Sequence, residues 1–242
     1  MPARSAVPGK TSAGYTSAGY IELLRPRQWV KNLFVLPAPL FGLSHSIVTA
    51  DAVLRIVSTF SAFCFISSFL YVVNDIFDAE ADRRHPVKQR RPIASGRVSL
   101  SAAAQVACGL FALGSVFCLG AGTGMVWIGL TYVANNVAYI FFFKRRVIAD
   151  VLSISLGFML RILGGAVAVS VEPSSWLMTC GFSIALFLGF CKRRSEIELY
   201  QDGDAAQDAR AVLAVYSKEK LNVLAGTTAA IAIVTYMLFT VS

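Results

Sequence analysis

The sequence predicts an all-α fold, a polytopic bundle of about seven transmembrane helices, and three observations predict it. The chain of 242 residues is 56% hydrophobic with a mean hydropathy of +0.62. That is too apolar for an ordinary soluble domain. Stretches of about twenty apolar residues recur, the length needed to cross a bilayer. When those stretches are threaded through a membrane, 20 of the 22 Lys and Arg fall on one side. The positive-inside rule makes that side cytoplasmic.

Residues 1–20 are rich in Ser, Gly and Ala, contain the repeat TSAGYTSAGY and lack an apolar core. They are expected to form a disordered cytoplasmic leader rather than a cleavable signal peptide, ahead of a transmembrane domain over 21–242. The apolar runs place spans at roughly 33–50, 53–73, 100–120, 124–143, 147–171, 174–190 and 221–241. The first carries Pro37 and Pro39 and is expected to be kinked or partly re-entrant. Part of the net charge of +8 is therefore topology, and nucleic-acid binding is not expected. Cys64, Cys108, Cys118, Cys180 and Cys191 lie in or at the ends of apolar runs without metal-ligand spacing, and His45 and His85 are isolated. A Cys/His metal site is not expected on that pattern.

The stretch NDIFDAEADRRHPVKQRRPIASGR, residues 74–97, follows directly on the second span. Asn74, Asp78 and Asp82 recur every four residues, so a continuing helix would align them in one stripe, each about 40° round from the last. Oxygen donors in that arrangement suit Mg²⁺, which shares its shell with substrate phosphates. Asp75 lies about 100° off the stripe, facing a neighbouring helix or standing behind the metal ligands. Tyr71 shares the face of Asn74, either orienting a substrate hydroxyl or anchoring at the interface. Prolines 86 and 92 frame a loop that presents Lys88, Arg90 and Arg91, with Arg97 beyond it, and phosphate binding explains that framing better than topology alone.

Further cations gather on the same side: Arg25, Arg27 and Lys31 before the first span with Trp29 at headgroup level, Lys144 near Tyr139, and Lys192, Arg193, Arg194 with Glu196. Arg161 lies within an apolar run, where an unpaired cation is costly. It is expected either to pair with Asp75 or Asp150 or to bind an anion. Asn135 and Asn136 read as glue between helices. A metal–phosphate site at the end of a membrane helix points to an enzyme joining a water-soluble phosphate ester to a lipid.

The NDxxDxxxD pattern resembles the first aspartate motif of the UbiA-type membrane transferase superfamily. Within it, RPRQWVKN (25–32), the block 74–96, YIFFFK (139–144) and the Arg161 run closely resemble the decaprenyl-phosphate phosphoribosyltransferases. The resemblance covers about residues 22–242. It implies Mg²⁺-dependent transfer of 5-phosphoribose from phosphoribosyl pyrophosphate to a polyprenyl phosphate, for arabinan-type cell-wall synthesis. On it, Asn74, Asp78 and Asp82 hold the metal, and Asp75, Asp78 and Asp82 are the catalytic acids. Lys88, Arg91 and Arg97 hold the ribose 5-phosphate and pyrophosphate, and Tyr71 a ribose hydroxyl. Tyr139 joins the substrate site, Lys144 and Arg161 grip the pyrophosphate or the attacking phosphate, and Lys31 and Arg193 hold the lipid phosphate.

The rival within the superfamily, prenyl transfer to an aromatic acceptor, needs a second acidic motif after the sixth span. That position reads CKRRSE, with acids only at Asp202, Asp204 and Asp208. A non-catalytic membrane subunit is the other alternative. The superfamily pattern has about nine spans, so two C-terminal helices are expected to be missing. A truncated chain, dispensable helices or a partner subunit, including a homo-oligomer, would each account for that.

Overall fold

The structure, a computed structural model, describes residues 17–42, 49–146, 148–201 and 217–241. Every regular element among them is helical. Helix α1 (Ser17–Leu24) begins four residues inside the stretch expected to be disordered; residues 1–16 lie outside the described residues. A 3₁₀ helix, Pro26–Val35, leads into α2 (Pro37–Gly42). Then follow α3 (Ala50–Phe77), α4 (Ala79–Arg84), α5 (Leu100–Ala121), α6 (Thr123–Phe141), α7 (Ala149–Ala168), α8 (Ser175–Gln201) and α9 (Lys218–Val241).

Six of these, α3 and α5 to α9, are long and apolar enough to cross a membrane. They coincide with six of the seven expected spans, and the chain is a multi-pass membrane protein. The first expected span takes another form. Pro37 and Pro39 cannot donate to a helical ladder, so the apolar run is broken into the 3₁₀ helix and the six-residue α2. His45 lies outside the described residues. Helix α8 runs past the expected limit at 190 because its apolar stripe continues: Phe190 and Ile197 bury against Val151 of α7 and Leu221 of α9.

Local signals set several boundaries. Thr49 caps α3 by accepting from the Ala52 N–H at 3.2 Å, and Ser99 caps α5 by accepting from Ala102 at 3.2 Å. Gly122 alone joins α5 to α6 with φ +113°, a backbone state L side chains rarely adopt. So short a link makes the two helices antiparallel. Arg55 reaches that turn and pairs with Asp51 at 2.9 Å, marking the end of the bundle opposite the other charge clusters.

The most extensive pairings are α3 with α5 and α8 with α9, while α7 touches α2, α3, α6, α8 and the 3₁₀ helix. Helix α7 is thus the central post, with more of its length buried than any other candidate span. Gly165 allows it to approach the chain's first turns closely. An added Cβ there would stand 1.8 Å from the Val35 carbonyl oxygen and 3.1 Å from Pro39 Cδ. This contact brings the 3₁₀ helix, with Lys31 and Asn32, against the face of α7 that carries Arg161.

Candidate active site

The acidic stripe survives a helix break. Helix α3 stops at Phe77, and Asp78 leaves helical geometry with ψ near 0°. The Asp78 N–H still donates to Asn74 at 2.9 Å and the Asp82 N–H to Asp78 at 2.8 Å. That continuous i to i+4 ladder keeps the three residues in line although two helices carry them.

Each acid is met by a cation. Asp75 is 2% exposed and accepts from Arg25 at 2.6 and 2.7 Å and from Arg91 at 3.0 Å. Arg91 also donates to Asp82 at 2.6 Å, and Lys144 donates to Asp78 at 2.9 Å. The order Arg25, Asp75, Arg91, Asp82 is an alternating chain in which every carboxylate is neutralised before any ligand arrives. Arg25 reaches it from a left-handed backbone, φ 51° and ψ 54°, directly before Pro26. Such a conformation costs on the order of 1–3 kcal/mol and persists where contacts over-determine it. The two hydrogen bonds to Asp75 and the guanidinium stacked 4.9 Å from the Tyr71 ring supply those contacts.

Beside the stripe lies a cavity of about 550 Å³. Arg25, Lys31, Arg91, Arg161 and Lys192 line it together with Tyr71, Asn74, Tyr132 and Tyr139, and among the described residues no carboxylate does. Five cations facing one chamber suit it to anions. Burial, with the charges of Lys192, Arg161 and Arg25 adding to it, lowers the Lys31 ammonium to about 8.

Arg161 stands apart from both of its expected acid partners. It donates to Asn32 Oδ1 at 2.8 Å, the Gly157 carbonyl at 2.6 Å and the Tyr132 hydroxyl at 2.7 Å. The rings of Tyr132, Phe63 and Phe158 surround its guanidinium at 4.8–5.5 Å. Among the described residues it makes no ion pair, because Asp75 is taken by Arg25 and Arg91 and Asp150 lies against Arg193 at 3.4 Å. Of the two sequence readings, the structural carboxylate pair is thereby removed.

The cavity brings together Lys31, Tyr71, Asn74, Arg91, Tyr139 and Arg161 from the expected set. Asp75 and Asp82 adjoin it through Arg25 and Arg91, while Asp78 and Lys144 pair with each other one turn beyond the cavity-lining Asn74. Three expected phosphate ligands stand elsewhere. Arg97 is tied to Glu22 at 2.7 Å and to the Arg90 carbonyl at 2.6 Å, fastening the loop to α1. Lys88 sits in the short 3₁₀ turn Lys88–Arg90, whose start is capped by His85 Nδ1 accepting from Val87 and Lys88. Arg193 is wholly buried between Asp150 and Glu196, the latter at 2.5 Å, so it joins α8 to α7 and does not face the cavity. Its neighbour Lys192, about 100° round the helix, is the one that does.

Sequence reasoning passed over Tyr132 and Ser153 and read Asn136 only as glue between helices, yet all three line the cavity. Asn135 does join helices, exchanging hydrogen bonds with Ser153 on α7 at 2.9 and 3.0 Å. Trp29 donates to Ser68 on α3 at 3.0 Å, which holds the 3₁₀ helix against the bundle in addition to any headgroup contact. Asp202, Asp204 and Asp208 lie outside the described residues.

Asn74, Asp78 and Asp82 are hard oxygen donors on successive turns, and among the described residues no three acidic, His or Cys side chains converge to enclose a metal. The set fits a divalent ion only where ligand phosphates complete the shell, as they commonly do for Mg²⁺.

Comparison with known proteins agrees with this architecture. Residues 35–242 match the UbiA prenyltransferase family. A decaprenyl-phosphate phosphoribosyltransferase of Corynebacterium glutamicum is 38% identical over 185 residues, 76% of this chain and 56% of that one. Its counterpart from Mycolicibacterium smegmatis is 37% identical over 185 residues, 75% of this chain and 58% of that one. The chain thus spans less than two thirds of the length of these relatives. In structure it is similar to a UbiA homolog from Archaeoglobus fulgidus bound to DMAPP and Mg²⁺, with a TM-score of 0.74 at 20% identity, covering 91% of this chain and 77% of that one. At that identity the likeness concerns the fold alone. With a family match spanning most of its length and the same helical architecture, the chain belongs to the UbiA prenyltransferase family.

Proposed function

We propose that this protein transfers 5-phosphoribose from phosphoribosyl pyrophosphate to a polyprenyl phosphate, decaprenyl phosphate in the relatives' case, releasing pyrophosphate. The observation that carries the reading is the wall of five cations, free of carboxylates among the described residues, beside the Asn74–Asp78–Asp82 stripe. Both substrates and the leaving group are phosphates, so one chamber must hold several negative charges at once. The name of the relatives' activity supports a phosphoribosyl group as the one transferred and decaprenyl phosphate as its acceptor. The product would feed arabinan-type cell-wall synthesis, with the site open to the cytoplasm of a bacterial plasma membrane.

Asn74, Asp78 and Asp82 would hold Mg²⁺, which when bound neutralises charge on the pyrophosphate. Arg91 and Lys144, now on Asp82 and Asp78, would exchange their carboxylates for the same phosphates. Arg25, held by both oxygens of Asp75, keeps its position as a donor beside the cavity. Tyr71 and Tyr139 offer phenols to the ribose hydroxyls. Lys31, Lys192 and Arg161 would take the remaining anionic group on the opposite wall. A phosphate monoester is already nucleophilic at neutral pH, so no general base is assigned. Positioning and electrostatics would drive displacement at ribose C1.

Equilibrium binding tests the donor assignment. Purified chain in lipid nanodiscs should bind phosphoribosyl pyrophosphate with Mg²⁺ present and lose that affinity with EDTA. Preference for geranyl diphosphate over phosphoribosyl pyrophosphate would favour prenyl transfer instead.

A further inference from the structure

We infer that Asn32 is a positioning residue that keeps Arg161 uncompensated, so that a phosphate oxyanion in the cavity becomes its counter-ion. The inference rests on the reading of the cavity as a phosphate site and deepens it. An arginine within an apolar helix is costly unless paired, and pairing with an acid is the common remedy. Here all three acceptors are neutral: an amide oxygen, a main-chain carbonyl and a phenol. They give each guanidinium nitrogen one acceptor, three bonds for five N–H groups, and leave its charge intact.

Asn32 is the acceptor most open to selection. It is wholly buried, and an aspartate would have nearly the same shape. Because arginine only donates, the amide oxygen must face Arg161, and the amide nitrogen then donates to Cys64 Sγ at 3.2 Å. Cys64 and the close contact at Gly165 hold the amide in register with α7. Aspartate at 32 would place a carboxylate about where Oδ1 lies, 2.8 Å from Arg161 Nε, and close the pair internally. The amide therefore works by what it lacks. It holds the guanidinium in place without discharging it, and Lys31 beside it adds a second positive charge.

The test compares Asn32→Asp with Asn32→Leu in the full chain in detergent. Leucine removes the same hydrogen bonds but adds no charge. Ligand-free thermal unfolding is measured first, then dissociation constants for phosphoribosyl pyrophosphate with Mg²⁺ and, separately, for farnesyl phosphate. Asn32→Asp is expected to unfold at a higher temperature than Asn32→Leu and to weaken one of the two anions at least tenfold. Asn32→Leu should weaken the same anion less than threefold. The anion that is lost identifies the occupant of the Arg161 wall. Equal weakening by both variants would make Asn32 merely structural and overturn the inference, as would wild-type affinity in Asn32→Asp.

If the wild type binds neither probe, the proposed function falls. The unfolding comparison still decides the inference, which is overturned if Asn32→Asp is no more stable than Asn32→Leu. Should either variant fail to fold, Tyr132→Phe removes one neutral acceptor and no charge. Like Asn32→Leu, it should weaken one anion less than threefold with an intact fold; a tenfold loss would make the acceptor itself, and not the retained charge, govern binding and would overturn the inference.

Discussion

Gly165→Ala probes the contact on which the geometry of the cavity depends. An alanine Cβ would stand 1.8 Å from the Val35 carbonyl oxygen, 2.9 Å from its carbon and 3.1 Å from Pro39 Cδ. The obstacle is main chain in a turn stiffened by two prolines, so no side chain can swing aside. The 3₁₀ helix must retreat by at least about 1.2 Å to reach the 3.0 Å below which real Cβ contacts are essentially absent. Over-packing of this kind costs roughly 1–3 kcal/mol, set against a gain of at most about 1 kcal/mol from replacing a helical glycine. Asn32 and Lys31 move with that turn while Arg161, one helical turn before Gly165, stays with α7. Displacements of about 1 Å at a reacting centre can cost on the order of 10²-fold in rate. Thermal unfolding in detergent should therefore show a clear loss of stability, and affinity for phosphoribosyl pyrophosphate should fall. Gly109→Ala is the control, since nothing lies within 4 Å of its added Cβ. It should leave both properties unchanged or raise stability slightly. If Gly165→Ala matched Gly109→Ala in both measurements, the positioning argument would be refuted.

Other perturbations have distinct expected outcomes. Asp78→Asn should lower transfer roughly 100-fold, since it removes a carboxylate from the stripe where charge develops, while leaving the helical circular dichroism unchanged. Lys31, lowered to about 8, is charged at pH 7 and loses its proton as pH rises through that value. Phosphate affinity should accordingly fall above about pH 8 in the wild type and less in Lys31→Arg, as a binding titration against pH would read. In the ligand-free protein the sign is opposite: folded Lys31 binds fewer protons than unfolded Lys31, so its contribution to stability rises from about pH 8 toward the ordinary lysine value. Arg193→Met should destabilise by roughly 3–5 kcal/mol, because Asp150 and Glu196 lose a buried partner. Its folded fraction should bind farnesyl phosphate as the wild type does, which a dissociation constant corrected for active protein would check.

Elements whose physics is local were legible from the residues. Six spans follow from apolar length, and the stripe from a spacing of four that the backbone ladder preserves through the break at Asp78. The first span was harder, since Pro37 and Pro39 announced a break without saying that α7 would take the broken segment against Gly165. Among the cations, identity was legible and direction was not. Lys192 and Arg193 are adjacent in a basic cluster, and only the packing of α8 on α7 decides which enters the cavity and which is buried against Asp150. Arg97 likewise could not reveal that Glu22, 75 positions earlier, would claim it. The neutral partners of Arg161 were beyond pattern reading, because Asn32 and Tyr132 come from segments 129 and 29 residues away. A buried arginine in an apolar run was the available signal, and it marked the site without naming its company.

The most direct test of the account is a transfer assay in lipid with radiolabelled phosphoribosyl pyrophosphate, a polyprenyl phosphate and Mg²⁺. Label should enter the organic phase, disappear with EDTA and fall sharply in Asp78→Asn. Contradiction would be a folded chain that binds phosphoribosyl pyrophosphate yet moves no label to the lipid, or one that transfers a prenyl group in its place.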